Sequence, residues 1–264
     1  MSLHDSPGNS DHAPEIDPAI VARFSDRVRA RVDHLSVLTR VAAHPAVKFT
    51  SDIPEHSISF IKNTPVPSVP SLSIPPDQTL LDEIAEDQGK EIAGVRDQAI
   101  LIQVLKAARF CETMANQADA PDPAKLYAAL CQLLVKLGAD NDDVMIVVRH
   151  ECYNTLVDDQ YVTDGGLKGR RVPVVPVRAS NNLPNCNVTG HCLSNTSNSN
   201  AYDGDFSNVV AAMFSPQSIM AGATSCIQSK VFFDKRYNGW FAQSVLTFDI
   251  KPDRAKHTGK IVLA

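Results

Sequence analysis

Five prolines, at positions 65, 67, 70, 75 and 76, constrain this chain more than any other feature. Each fixes φ and removes a backbone donor, so neither a helix nor a central strand can persist through them. The wider stretch 47–76 contains short β-prone pieces such as 57–61 and reads as an extended excursion. A segment with so little core is either a linker or an arm that gains order by lying on something else.

The sequence on either side is helical. Residues 1–18 read as a polar, flexible arm. Residues 20–38 then place Val21, Phe24, Val28, Val32 and Leu35 three or four apart, the spacing of one helix face. Arg23, Arg27, Arg29 and Arg31 interleave with that stripe. They could meet a polyanion, but a solvated helix face explains them more simply. After the prolines, Thr79-Leu80-Leu81-Asp82 resembles a capping box and opens a helical pattern over 79–113, with Gly89 and Gly94 inside it. Each glycine costs about 1 kcal/mol there, so tertiary packing must hold the helix, with a slight bend near them. A further helix has complete signals: Asp122 as cap, Pro123 at the first turn, a leucine stripe from Leu126 to Leu137, and Gly138 as terminator.

The remainder is mostly β. The run 144–148 (VMIVV) reads as a buried strand and 150–156 as a short helix leaving it. Residues 171–177 read as an edge or irregular strand because of Pro173 and Pro176. A polar loop over 179–206 holds seven asparagines between Asn181 and Asn200, and 208–214 returns to strand. Two β-rich runs, 229–235 and 240–250, meet at Asn238-Gly239, which suits a tight hairpin turn. Residues 259–263 form a last strand. The fold class is therefore α+β.

At 264 residues, with 44% hydrophobic and 21% charged residues, the chain can bury a substantial core. A net charge of −5 gives no electrostatic reason for tight nucleic-acid or membrane-surface binding. The N-terminus lacks the apolar core of a secretory signal, and no segment has the apolar length of a membrane span. Cytoplasmic synthesis is expected, with reduced thiols at the six cysteines, mainly in the core. The sequons at Asn187 and Asn195 are then chance products of the asparagine-rich loop.

No catalytic signature emerges. Cys186, His191 and Cys192, with His150 and Cys152 as further candidates, do not match zinc-ligand spacing. No nucleophile motif links a cysteine to a histidine. Gly165-Gly166-Leu167-Lys168-Gly169 precedes a strand rather than opening a helix, so it reads as a turn. The pairs Asp142-Asp143 and Asp158-Asp159 read as capping or solvated residues. Phe232, Phe233, Tyr237, Trp240, Phe241 and Phe248 fall on the hairpin, where cross-strand core packing is expected rather than base stacking. No catalytic, cofactor or metal residue is assigned, no cofactor is expected, and the chain is not expected to be an enzyme.

The order of elements does carry a resemblance. The segments 169–177 (GRRVPVVPV) and 180–184 (SNNLP) are similar to the strand by which capsid proteins of the HK-ninety-seven fold enter their apical domain. Residues 208–219 (NVVAAMFSPQSI) resemble the strand and turn that follow. The stretch beginning at Ser229, with Arg254 and the short final strand, resembles the closing hairpin of the short-tailed bacteriophage group. The resemblance spans residues 79–264; the segment before it departs from the family in being short and proline-rich.

It implies an HK-ninety-seven-type capsid fold with an N-terminal arm and helix (1–46), an extended loop (47–78), a peripheral domain with a long spine helix (79–143), a mainly apical domain (144–228) and a closing β region (229–264). It also implies a major capsid protein, a structural protein that self-assembles into hexamers and pentamers of an icosahedral virus head enclosing double-stranded DNA. Portal, scaffolding and decoration proteins would be partners, with weak contact to packaged DNA, no membrane, and a place in the virion. The extended loop would become an inter-subunit strap. Lys48 and Lys62 could be imagined as cross-linking lysines, but no such role is carried over. The alternatives are an encapsulin-like shell holding enzyme cargo and a cytosolic cysteine- or zinc-dependent enzyme.

Overall fold

A computed structural model describes residues 16–36, 48–50, 57–67, 76–115, 121–138, 144–177, 187–188, 193, 201–222, 226–253 and 257–264. The chain runs α1 (Pro18–Leu35), β1 (Lys48–Thr50), β2 (Ser57–Val66), α2 (Gln78–Ala107), β3 (Phe110–Met114), α3 (Pro123–Leu137), β4 (Met145–Arg149) and α4 (His150–Asp158). It continues through β5 (Val162–Thr163), β6 (Gly166–Leu167), β7 (Val174–Val177), β8 (Asn187–Val188), β9 (Gly204–Asp205), β10 (Val209–Phe214), β11 (Ile219–Gly222), β12 (Cys226–Asp234), β13 (Gly239–Pro252) and β14 (Thr258–Leu263).

Two five-stranded sheets organise these elements. In the first, β13 is the hub: β12, β2 and β11 all pair with it, and β1 joins β11 in parallel. The second has the order β3-β14-β10-β4-β7. The central strand β10 is buried along its whole length, with Val209, Ala212 and Phe214 entering one core and Val210, Ala211 and Met213 the other. Such a strand needs cover on both faces, which is why it reads as an unbroken apolar run.

The long helix α2 serves both sheets. Its stretch 99–105 is buried at every position, so it lacks the polar stripe of a surface helix. It packs on β13 and β2 of the first sheet and on β14 and β10 of the second. Helices α3 and α4 share the second core with Ile146 and Val148 of β4.

Helix α1 lies along α2 with Phe24, Val28, Val32 and Leu35 buried, as the spacing of its stripe requires. Gly89 sits where they meet. A Cβ there would come within 2.6 Å of Arg31 Cβ and 3.1 Å of the Val28 carbonyl oxygen. The glycine that weakens the helix locally is therefore what lets α1 approach. The arginines on α1 close the same seam: Arg23 and Arg27 pair with Asp82, and Arg31 with Glu86. They are committed to their own chain instead of forming a merely solvated face.

Several boundaries differ from expectation. The N-cap of α2 is Asp77, whose side chain accepts from the Thr79 amide, so Thr79 is inside the helix and Asp82 is free to take the arginines. The helix ends at Ala107 rather than 113, because Phe110–Met114 pairs in parallel with β14. Asn238 alone takes positive φ in the hairpin, and Gly239 opens β13 opposite Asp234. The loop is thus four residues, 235–238, with Asp234 accepting from the Arg236 amide, rather than a two-residue turn.

The extended-loop reading of 47–78 is corrected for 57–66. That segment is β2 and pairs with β13 from Ile58↔Phe248 to Val66↔Trp240, so it gains order within its own chain. Pro65 is tolerated because β2 pairs only with β13, which leaves its other edge without a ladder partner among the described residues. Asp122, Pro123 and Gly138 cap α3 as expected, Gly138 with φ 58°.

Burial tends to raise the Asp82 carboxyl, but hydrogen bonds from Gln78 and Arg23 and the charges of Arg23 and Arg27 outweigh it and hold it below its ordinary value of 3.8. A depressed carboxyl contributes stability that is full above its unfolded value and is lost as pH falls through the folded one. The Asp82→Asn variant should therefore be less stable than the parent near neutrality and converge on it below about pH 4 in urea unfolding measured across pH. A gap that stays constant down to acid pH would refute this role.

Candidate functional site

The side chains singled out as possible chemistry do not converge among the described residues. Among the described residues no three His, Cys, Asp or Glu side chains are grouped to hold a metal. Cys186, His191, Cys192, Asn195, Asp142, Asp143 and Arg254 lie outside the described residues, as do the side chains of Asn187 and Lys48. His150 is exposed at the start of α4, while Cys152 is buried two residues on. Burial pushes the Cys152 thiol up to about 11 although Arg149 opposes it, so it stays protonated and poorly nucleophilic. The core assignment of the cysteines needs correction: Cys111 and Cys226 are exposed and Cys131 is half-buried.

Gly165 follows Asp164 in a two-residue hairpin between β5 and β6, with φ 73° and 51° respectively. That is the positive-φ pair a tight hairpin demands, so the glycine run is a turn. Asp158 and Asp159 end α4, Asp159 as its C-cap. Lys62 is held by Glu91 at 2.7 Å.

The feature that stands out is a face. Along β13, Trp240, Ala242, Ser244, Leu246 and Phe248 are buried, while Phe241, Gln243, Val245 and Thr247 between them are half-exposed. The strand alternates, so one side of the first sheet packs on α1 and α2 and the other faces out. The pairing registers extend the outer face sideways: Ile61 lies beside Val245, Pro65 beside Phe241, Phe232 beside Phe241 and Lys230 beside Gln243.

This outer face ends in an aromatic cluster. Phe241 stacks on Phe232 with ring centroids 6.0 Å apart and meets Tyr237 edge-on at 5.7 Å. Lys230 Nζ sits 4.8 Å from the Phe232 centroid, and the Arg236 guanidinium 5.8 Å from that of Tyr237. Tyr237 is 71% exposed and Ile61 56%. The expectation that the hairpin aromatics all pack in the core holds for Trp240 and Phe248 and is corrected for Phe232, Phe241 and Tyr237. Alternation of burial along 239–248 carries that division. Arg236 is itself paired with Asp234 at 2.9 Å, which neutralises it and makes the cluster amphipathic rather than strongly basic. Aromatic side chains mixed with arginine are the composition favoured at protein–protein contacts.

No protein-family profile matches the sequence, and no characterised protein sequence is significantly similar to it. Its fold has clear relatives. The capsid structure of cyanophage P-SCSP1u superposes with a TM-score of 0.60 at 15% identity, covering 79% of this chain and 73% of that one. The mature capsid of bacteriophage PhiM1 superposes with 0.57 at 14% identity over 100% of this chain and 92% of that one. A virus-like particle from Pyrococcus furiosus gives 0.56 at 11% identity over 92% and 99%. The chain thus has the mixed α+β capsid fold of the HK-ninety-seven type. Among the described residues no helix is long and apolar enough to cross a membrane.

Proposed function

We propose that this protein is a shell-forming major capsid subunit that assembles with copies of itself into hexamers and pentamers of an icosahedral bacteriophage head around double-stranded DNA. The observation that carries the reading is the end-to-end match to the PhiM1 mature capsid chain, which leaves no substantial part of this chain to another fold. The outer sheet face supports it, since an apolar and aromatic surface uncovered in one subunit gains by meeting another. In this reading the role is structural and not enzymatic, the place of action is the virion after synthesis in the host cytoplasm, and portal, scaffolding and decoration proteins are further partners.

The similarity to the Pyrococcus virus-like particle favours a second reading, an encapsulin-like shell with protein cargo. Electron microscopy of the purified chain at rising concentration tests the common part: closed shells are expected, and a monomer or dimer under every assembly condition would end both readings. The contents of particles from the native source then separate them, nucleic acid marking a virus head and a co-packaged enzyme marking the alternative.

A further inference from the structure

Between α1, α2 and the first sheet lies a pocket of about 180 Å³ lined by Arg29, Asp33, Arg96, Cys226, Ile227, Leu246 and Phe248. Its floor is apolar, and two guanidiniums and one carboxylate line it. Arg29 donates to the Ile227 carbonyl oxygen at 3.2 Å, which fixes its head at the edge of β12. Arg96 comes from the middle of α2 and lies over the Phe248 ring, 5.3 Å from its centroid.

Arg96 is the unusual member. Its side chain is only 17% exposed, yet its closest carboxylate, Asp33, stands 4.0 Å away, too far for a hydrogen bond. Its Nε is buried and makes none. Asp97, next to it in sequence, is engaged by the Ser36 hydroxyl. Burial lowers the Arg96 pKa from its ordinary value, with Asp33 and Asp97 only partly opposing. A guanidinium carries five donors and cannot shed its charge in a protein, so a buried one needs acceptors. Asp33 and Asp97 supply countercharge to Arg96, so what the site lacks is acceptors at hydrogen-bond distance rather than negative charge.

We propose that this pocket is an oxyanion site, taking one phosphate or carboxylate group between Arg29 and Arg96 with its apolar side against Leu246 and Phe248. The volume fits that size class: drug-sized ligands occupy pockets of roughly 300 Å³ and more, while a single oxyanion with a water or two needs less. Guanidiniums suit this ligand because their planar fork matches the geometry of carboxylate and phosphate oxygens. The oxyanion has two sources, free anion from solution or the carboxylate side chain of a second copy of this chain, and the chemistry is the same for both.

Titration of the unassembled subunit with inorganic phosphate, followed by calorimetry, tests the site without relying on the shell reading. One phosphate per chain is expected, and binding should weaken about tenfold or more in Arg96→Met and in Arg29→Met. Arg96→Lys should keep part of the affinity by keeping the charge. Arg29 is the more exposed partner, so its variant remains informative if Arg96→Met fails to fold, and Arg170→Met on β6's side of the molecule serves as the control. Repeating the titration on assembled particles separates the sources. Binding that persists marks the free anion, and a site lost on assembly marks a group from a neighbouring copy. No saturable phosphate binding by the subunit, or binding that neither Arg29→Met nor Arg96→Met weakens, overturns the proposal.

Discussion

Replacing Trp240 by alanine should cost about 3–5 kcal/mol of stability, the range for deleting a large buried aromatic. Trp240 is 2% exposed, sits opposite Val66 of β2 and meets Phe233 edge-on with centroids 5.6 Å apart. It therefore fills the core where the last pair of the β2–β13 ladder meets the last turn of the hairpin, and little nearby can collapse into the space. The indole Nε1 is buried without a hydrogen-bond partner. Trp240→Phe removes that orphaned donor along with some volume, so it should lose far less than alanine does. Urea unfolding measures both, provided the shell is dissociated first. An alanine variant within about 1 kcal/mol of the parent would show that the ring does not organise this core.

The second large effect concerns assembly and should leave the subunit itself intact. Tyr237 and Ile61 are the most exposed apolar residues of the outer sheet face, so changing them costs the monomer little. Tyr237→Glu combined with Ile61→Glu places two carboxylates on a surface that, in the shell reading, is covered by another copy. Burying an unpaired charge at a contact of this kind costs about 2 kcal/mol or more. Each would raise the subunit concentration needed for assembly roughly thirtyfold. Sedimentation velocity and electron microscopy should show folded subunits and no shells. Shell formation by the double variant at the parent concentration would remove this face from the assembly surface.

These two sites differ in how far the sequence revealed them. Helix α3 was fully legible because its signals are local: Asp122, Pro123, the leucine stripe and Gly138 each act within a turn of themselves. Strand β10 and the β4–α4 pair were legible for a related reason, since burial on both faces leaves a bare apolar run. Strand β3 was missed because what ends α2 is not a glycine or proline but hydrogen bonds offered by β14, some 150 residues later in the chain. The seam between α1 and α2 was hidden likewise. Gly89 looked like a local weakness, and only the approach of Arg31 shows it to be a requirement.

The outer face was readable in part. Alternation along β12 and β13 separates Phe232 and Phe241 from Phe233 and Trp240, but nothing local says which of the two sets is covered, and the prolines of β2 obscure it as an edge partner. The oxyanion pocket could not be read at all. Its two arginines lie on different helices, and nothing local marks either as different from its neighbours. Patterns of burial are written locally, whereas two arginines from separate helices come to share a pocket only through the fold.

The place of β14 also sets a schedule. It lies between β3 and β10, so the second sheet has a gap between its edge strand β3 and the central β10 until residues 258–263 have emerged from the ribosome. Until then β3 and β10 present unsatisfied edges, and neither core is complete, because Ile261 belongs to one and Val262 packs against the other. A chain that has not yet added 258–263 is therefore open to pairing with another chain along both edges, and β14 closes that route by occupying them itself.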